Sequence, residues 1–238
     1  MNPIISKSGD KLWFTKLKHP NSLGGENDQD IWMSEKTNSE WSKPTNELSG
    51  LNSGLNNLII GQSNGELVYT INFERGGQSQ LTTISAFKVL EDSYELDHKI
   101  EMPKLGLRSE FFGFFIAEDE SYILISMNGE FSFGKEDLYV ILNEEDEWTT
   151  PIHLGARVNT AGFEMSPFMA EDGEHLFFAS EGHNSCGSAD IFVSVRLDDT
   201  WKNWSKPTNL GPNINSKSFE AYYAFSSSQN EAVYVSSQ

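Results

Sequence analysis

A single cysteine, Cys186, stands among 238 residues, and one thiol excludes an internal disulfide framework. Positive charge is scarce. Lysines and arginines number 17 against 35 aspartates and glutamates, a formal net charge of −18. So acidic a chain argues against a nucleic-acid backbone or an anionic membrane as partner. No apolar run approaches the length needed to cross a bilayer, so direct membrane insertion is not expected. The opening MNPIISKSGDKLWF has no apolar stretch followed by a small-residue cleavage site, and does not read as a signal peptide. Helical periodicity is missing as well, because Gly, Asn, Ser and Pro interrupt the chain every few residues. What is present is an aromatic content of 12 %, too high for a disordered chain, in a length that suits one large all-β domain.

A repeat organises the rest. Turn markers stand at Ser8-Gly9-Asp10, Asn64-Gly65, Asp119-Glu120, Asp172-Gly173 and, degraded, Gln229-Asn230, at spacings of roughly 55 residues. Asp-Gly or Asn-Gly between apolar runs is a strong hairpin signal. Before each marker lies an apolar strand (PIIS, NLIIG, FFGFFIA, MSPFMA, AYYAF) and after it a second strand (KLWFTK, ELVYTI, YILIS, HLFFAS, AVYVS). A third strand opens with aspartate, an aliphatic and an aromatic: Asp30-Ile31-Trp32, Asp137-Leu138-Tyr139 and Asp190-Ile191-Phe192. The second repeat has LTTISAF from Leu81 in its place. A fourth strand ends at Pro44, Pro103, Pro151 or Pro207, where a residue without a ladder donor suits a sheet edge.

This pattern predicts an all-β chain, a β-propeller of four-stranded antiparallel blades. The blades are expected at about 1–48, 49–105, 106–154 and 155–210, with a partial one at 211–238. The count predicts a single five-bladed domain whose last blade is incomplete. Met1 directly precedes a strand and Gln238 directly follows one, which gives the expectation of a domain excised from a longer protein.

The Ser166-Pro167…Asp172-Gly173…Asp190-Ile191-Phe192 series, and more loosely Asn2-Pro3…Gly9-Asp10…Asp30-Ile31-Trp32, resembles the TolB-type, WD-repeat-like propeller family. The added Trp-Ser-x-Pro-x-x-Leu-Gly and the following Ile-Asn resemble the subset attached to OmpA-family envelope proteins of Gram-negative bacteria. That resemblance implies a periplasmic or outer-membrane-associated, non-catalytic scaffold. Its expected partner is another envelope protein, secretion and gliding machinery included, with peptidoglycan reached through another domain of the parent. The alternative it leaves open is a carbohydrate- or peptidoglycan-binding module, with a propeller glycosidase ranked last.

Superposing the turn markers puts Asn56, Glu164 and Glu220 in one register, with Glu110 within one residue of it. A ring of such groups at the mouth of a central channel would suit a cation or a cationic peptide, while repetition favours capping of backbone amides. Trp201 has no counterpart in other repeats and is expected to be exposed, a candidate surface contact. Trp41, Trp148 and Trp204 recur in register and are expected to pack between blades. Cys186 shares its place with Leu23 and Phe133, so an apolar plug under a loop is expected rather than a nucleophile. The five histidines lack metal-site spacing, and the segment from Glu26 to Asp30 lacks the alternating ligands of a calcium loop. No metal and no cofactor are expected.

Overall fold

A computed structural model describes residues 2–63, 66–73, 83–91, 93–108, 113–226, 228 and 230–237. All regular structure among them is β. Two compact bodies result: Met1–Met102 with Ala224–Ala232, and Pro103–Tyr223 with Val233–Gln238.

In the first body, β1 (Ile4–Ile5), β2 (Lys11–Leu17), β3 (Gln29–Thr37) and β4 (Glu40–Trp41) form one antiparallel sheet in chain order. β5 (Asn56–Ser63), β6 (Leu67–Phe73), β7 (Thr83–Val89) and β8 (Tyr94–Glu101) form the next. The divergent LTTISAF segment therefore still supplies a third strand from Thr83 onward. In the second body, β9 (Gly113–Ile116), β10 (Tyr122–Met127), β11 (Asp137–Glu144) and β12 (Glu147–Trp148) make the third sheet, and β13 (Ile152–His153) also pairs with β11. The fourth is β14 (Glu164–Met169), β15 (His175–Ser180), β16 (Asp190–Val195) and β17 (Thr208–Asn209). These are four propeller blades. The expected fifth is not one of them: β18 (Glu220–Ser226) and β19 (Glu231–Ser236) form a two-stranded hairpin. Its tip belongs to the first body, where Lys36 Nζ donates to both oxygens of Glu231 at 2.6 and 2.8 Å.

The turn markers work through backbone conformation. Gly9, Glu120, Gly173 and Asn230 all have positive φ, between 53° and 73°, which a tight connection between first and second strands requires. Asn64 and Gly65 lie outside the described residues. Proline shapes the fourth strands. Pairing stops short of Pro44, Pro151 and Pro207, then resumes just beyond each, as Met33↔Thr45, Tyr139↔His153 and Phe192↔Asn209. The missing N–H breaks the ladder without ending the strand's attachment.

Each body has its own core. The first buries Trp13, Ile31, Leu48, Leu51, Ile59 and Val68. The second buries Leu124, Leu138, Met169, Phe178, Phe192, Trp201 and Trp204. Trp201 is thus not a surface contact: only 5 % of it is exposed. With φ of 61°, the turn swings its indole inward, 4.7 Å from the Tyr122 ring and under the Arg196 guanidinium at 4.6 Å. Its carbonyl accepts the Trp204 indole N–H at 2.8 Å. Of the three recurrent tryptophans, Trp204 is buried, Trp148 half-buried and Trp41 38 % exposed beneath the Lys36 ammonium.

Removing the Trp201 ring leaves a cavity against Tyr122 and Trp204. Trp201→Ala is therefore expected to lower stability by about 3–5 kcal/mol, measured by urea unfolding; a loss under about 1 kcal/mol would mean the indole packs elsewhere.

Candidate functional site

The polar residues of the repeat converge on three equivalent junctions, each joining the third strand of one blade to the first strand of the next unit. Every junction starts from an aspartate that opens a third strand. Asp30, Asp137 and Asp190 are each 0 % exposed, so their carboxylates must find internal donors. Oδ2 of each accepts the backbone N–H of the preceding loop, from Leu23 at 2.9 Å, Phe133 at 2.8 Å and Cys186 at 2.9 Å. The same oxygen takes a bond from the residue two places after the blade's proline: Asn46 at 3.0 Å, His153 at 2.7 Å and Asn209 at 2.6 Å.

This corrects the reading of Cys186. What Leu23, Phe133 and Cys186 share is an amide aimed at an aspartate, and their side chains face solvent, with Leu23 62 % and Phe133 53 % exposed and Cys186 also exposed. The glycine that follows each lies against the next linker. A Cβ at Gly134 would sit 2.2 Å from the Ala161 carbonyl oxygen, and one at Gly187 2.3 Å from that of Ser218.

The linker then supplies an asparagine. Asn52 Oδ1 accepts the Ile31 N–H at 2.9 Å while its Nδ2 donates to the Ile31 carbonyl at 2.8 Å. Asn159 does the same to Leu138 at 2.7 and 2.9 Å, and Asn215 to Ile191 at 2.8 and 2.9 Å. One side-chain amide thereby satisfies both polar groups of a third-strand residue that is itself fully buried.

One residue further on, a hydroxyl closes a five-residue ring. Thr160 N–H and Oγ1 donate to the two oxygens of Glu164, both at 2.7 Å, and Ser216 N–H and Oγ to those of Glu220 at 2.9 and 2.7 Å. In the first body the matching pair is Ser53 with Asn57 Oδ1, at 3.2 and 2.8 Å. The register of the sequence reading is thus off by one: Asn57, not Asn56, is the counterpart of Glu164 and Glu220. Asn56 aligns instead with Phe163 and Phe219, and its Oδ1 accepts the Gln29 N–H at 3.1 Å. The signal was available as an apolar residue, Asn, then Ser or Thr, four places before the acid or amide: Leu51-Asn52-Ser53, Val158-Asn159-Thr160 and Ile214-Asn215-Ser216.

Glu164 and Glu220 are 0 % exposed and Asn56 5 %, and Glu110 lies outside the described residues. Glu164 and Glu220 turn into their own loops, where Ser180 and Ser236 complete their shells at 2.7 and 2.9 Å, whereas Asn56 bonds Gln29 and Phe73. Burial pushes the Glu220 carboxyl up, but the Ser216 N–H and the Ser216 and Ser236 hydroxyls outweigh it and hold the group below its ordinary 4.5. Among the described residues no three His, Cys, Asp or Glu side chains cluster as metal ligands. The Asp30 carboxylate, at the end of the acidic Glu26–Asp30 segment, is occupied by Leu23, Asn46 and Asn57.

Comparisons with family models and with curated proteins find no match. Among solved structures, the chain is similar to a GH43 β-1,3-galactosidase determined with galactodeoxynojirimycin, at 10 % identity and a TM-score of 0.52, over 98 % of this chain and 84 % of that one. It is also similar to a putative 6-phosphogluconolactonase from Bacteroides fragilis, at 14 % identity and TM-score 0.41, over 87 % of this chain and about half (54 %) of that one. The tricorn protease matches at 10 % identity and TM-score 0.48, over 98 % of this chain and 22 % of that one. At such identities the likeness is one of fold, a β-propeller.

Two outcomes follow. Asn159→Ala orphans the buried Leu138 N–H and carbonyl, an expected loss of about 2–4 kcal/mol by urea unfolding; a near-neutral result would mean water or a neighbour replaces the amide. For Glu220, a folded pKa below the unfolded one means its contribution is present above pH 4.5 and is lost as pH falls through the folded value. Glu220→Gln is expected to flatten that acid limb of the stability profile.

Proposed function

We propose that this chain is a non-catalytic propeller scaffold that presents loops to a protein partner in the bacterial cell envelope. The observation that carries this reading is a division of labour among side chains. Asp30, Asp137, Asp190, Glu164 and Glu220 are wholly buried in bonds between strands and linkers, while large apolar groups stand exposed on the loops between second and third strands. In the second body the loop from β10 to β11 carries Phe131 and Phe133, 64 % and 53 % exposed, with Phe133 set edge-on against His153 at 4.8 Å. Exposed aromatics on a rigid scaffold are the residue type that protein contacts favour. The envelope location, with an OmpA-family parent and peptidoglycan reached through another of its domains, is supported by the sequence resemblance to TolB-type propellers.

The carbohydrate-binding alternative loses its surface tryptophan with Trp201 buried. A glycosidase needs two carboxyls flanking one bond, and Glu164 and Glu220 each spend their oxygens on their own loop.

In-cell crosslinking of the parent protein, followed by identification of the captured species, tests the proposal. A specific envelope protein is expected, with its yield reduced at least about tenfold, or about 1.4 kcal/mol of affinity, by the double change Phe131→Ser and Phe133→Ser. Undiminished capture by a correctly folded double variant would remove this loop from the interface.

A further inference from the structure

Both junctions of the second body, Asp137 with Glu164 and Asp190 with Glu220, place two buried acids where the first body has an acid and an amide. In the first body, Asn57 Nδ2 donates to Asp30 Oδ1 at 3.2 Å. Asp137 occupies the position of Asp30, receiving a loop N–H and the residue beyond the proline on Oδ2. Glu164 occupies that of Asn57, taking the N–H and hydroxyl of the residue four places before it. Both acids are 0 % exposed, and Asp137 Oδ1 accepts no hydrogen bond among the described residues. An ionised glutamate has no proton to offer it, and two like charges in one buried place do not both stay ionised.

Among the described residues no lysine or arginine bonds to either carboxyl. His153 Nε2 lies 2.7 Å from Asp137 Oδ2 and 3.0 Å from Asn159 Nδ2, and its Nδ1 accepts the Gly155 N–H at 3.1 Å. Lys135 is turned outward onto Glu181 at 2.6 Å. His183 bonds the Val158 carbonyl at 2.8 Å, and Glu136 presents its backbone carbonyl to the Glu164 N–H at 2.7 Å. The remaining groups on Glu164 are the neutral Thr160 and Ser180 hydroxyls.

We propose that Asp137 and Glu164 hold one proton between them, so that a carboxylic acid joins β11 to β14 as the Asn57 amide joins β3 to β5. A bound metal ion is the rival occupant, and the oxygen count argues against it. Calcium takes six to eight oxygens, whereas the Glu164 oxygens already accept three hydrogen bonds and Asp137 Oδ2 accepts two. Burial is the largest influence on the Glu164 carboxyl and raises it above 4.5; the Asp137 charge raises it further, against lowering by the Ser180 and Thr160 bonds. A folded pKa above the unfolded one gives stability that is fully present below the unfolded value and is lost as pH rises through the folded value. The junction is a pH-sensitive staple. At the other junction Asp190 Oδ1 likewise accepts no hydrogen bond among the described residues, while the Ser216 and Ser236 bonds hold the Glu220 carboxyl below its ordinary 4.5.

The experiment is a carboxyl-carbon NMR titration of the wild-type protein labelled at glutamate and aspartate, joined to thermal melts from about pH 5 to about pH 8. One Glu or Asp carboxyl is expected to keep the shift of a neutral acid well above the ordinary carboxylate range and to titrate in the same interval in which the wild-type Tm falls. Glu164→Gln, which supplies an amide donor as Asn57 does, is expected to abolish that signal and flatten the fall. If this variant does not fold, Asp137→Asn supplies a donor from the other side, and the wild-type titration decides alone. Every carboxyl titrating in the ordinary range would overturn the proposal. So would a Tm that rises with added calcium or sodium and falls on their removal, which would give the place to a metal ion.

Discussion

The structure depends on a side-chain amide that imitates a backbone ladder. Asn52, Asn159 and Asn215 each accept from the N–H and donate to the C=O of one buried aliphatic residue, Ile31, Leu138 or Ile191. A neighbouring strand would normally offer those bonds, but the third strand at this point needs them from a linker that has no regular structure. Each hydrogen bond contributes only about 1 kcal/mol net, and an unpaired buried group costs about 1–3 kcal/mol. The asparagine therefore matters most by preventing two orphans. The aspartate one residue earlier gathers the loop before it and the segment after the proline, so a single point couples four pieces of chain.

That arrangement accounts for most of the buried acidity. A net charge of −18 invites a search for a cation or a catalytic pair, yet the buried acids answer to loop amides and hydroxyls. Their hydrogen bonds are short and they repeat, as the Thr160–Glu164 and Ser216–Glu220 rings do. Chemistry that must single out one substrate is poorly served by a feature present at several junctions. Apolar side chains on the intervening loops are the complementary half: Leu23 and Phe133 lie exposed over amides committed to an aspartate, and Phe131 stands exposed on the same loop as Phe133.

Much of this was legible in the sequence, because turn geometry and strand chemistry are local. Positive φ at Gly9, Gly173 and Asn230 is what Gly and Asn at those points announce. Asp-aliphatic-aromatic correctly marked three third strands, although its reason, a buried carboxylate receiving two donors, lies in contacts far apart in the chain. The misses share that cause. Trp201 lacks a repeat partner, which points outward, but a positive-φ turn folds it inward. Alignment on the turn markers selects Asn56 rather than Asn57, because Asn57 stands one place nearer to Asn64 than Glu164 does to Asp172. What Cys186 shares with Leu23 and Phe133 is an amide, not a side chain, and a backbone donor leaves no mark in the sequence. The fifth repeat, expected as an incomplete fifth blade, is a two-stranded hairpin among the described residues beside four blades.

Native-state hydrogen exchange at the amides of Ile31, Leu138 and Ile191 tests most directly whether the asparagines hold the junctions. All three N–H groups point at a side-chain oxygen and, if that contact is structural, exchange only with the opening of the sheet that contains them, as slowly as the neighbouring strand amides. Exchange at the rates of open loops, with the flanking strands still protected, would contradict it.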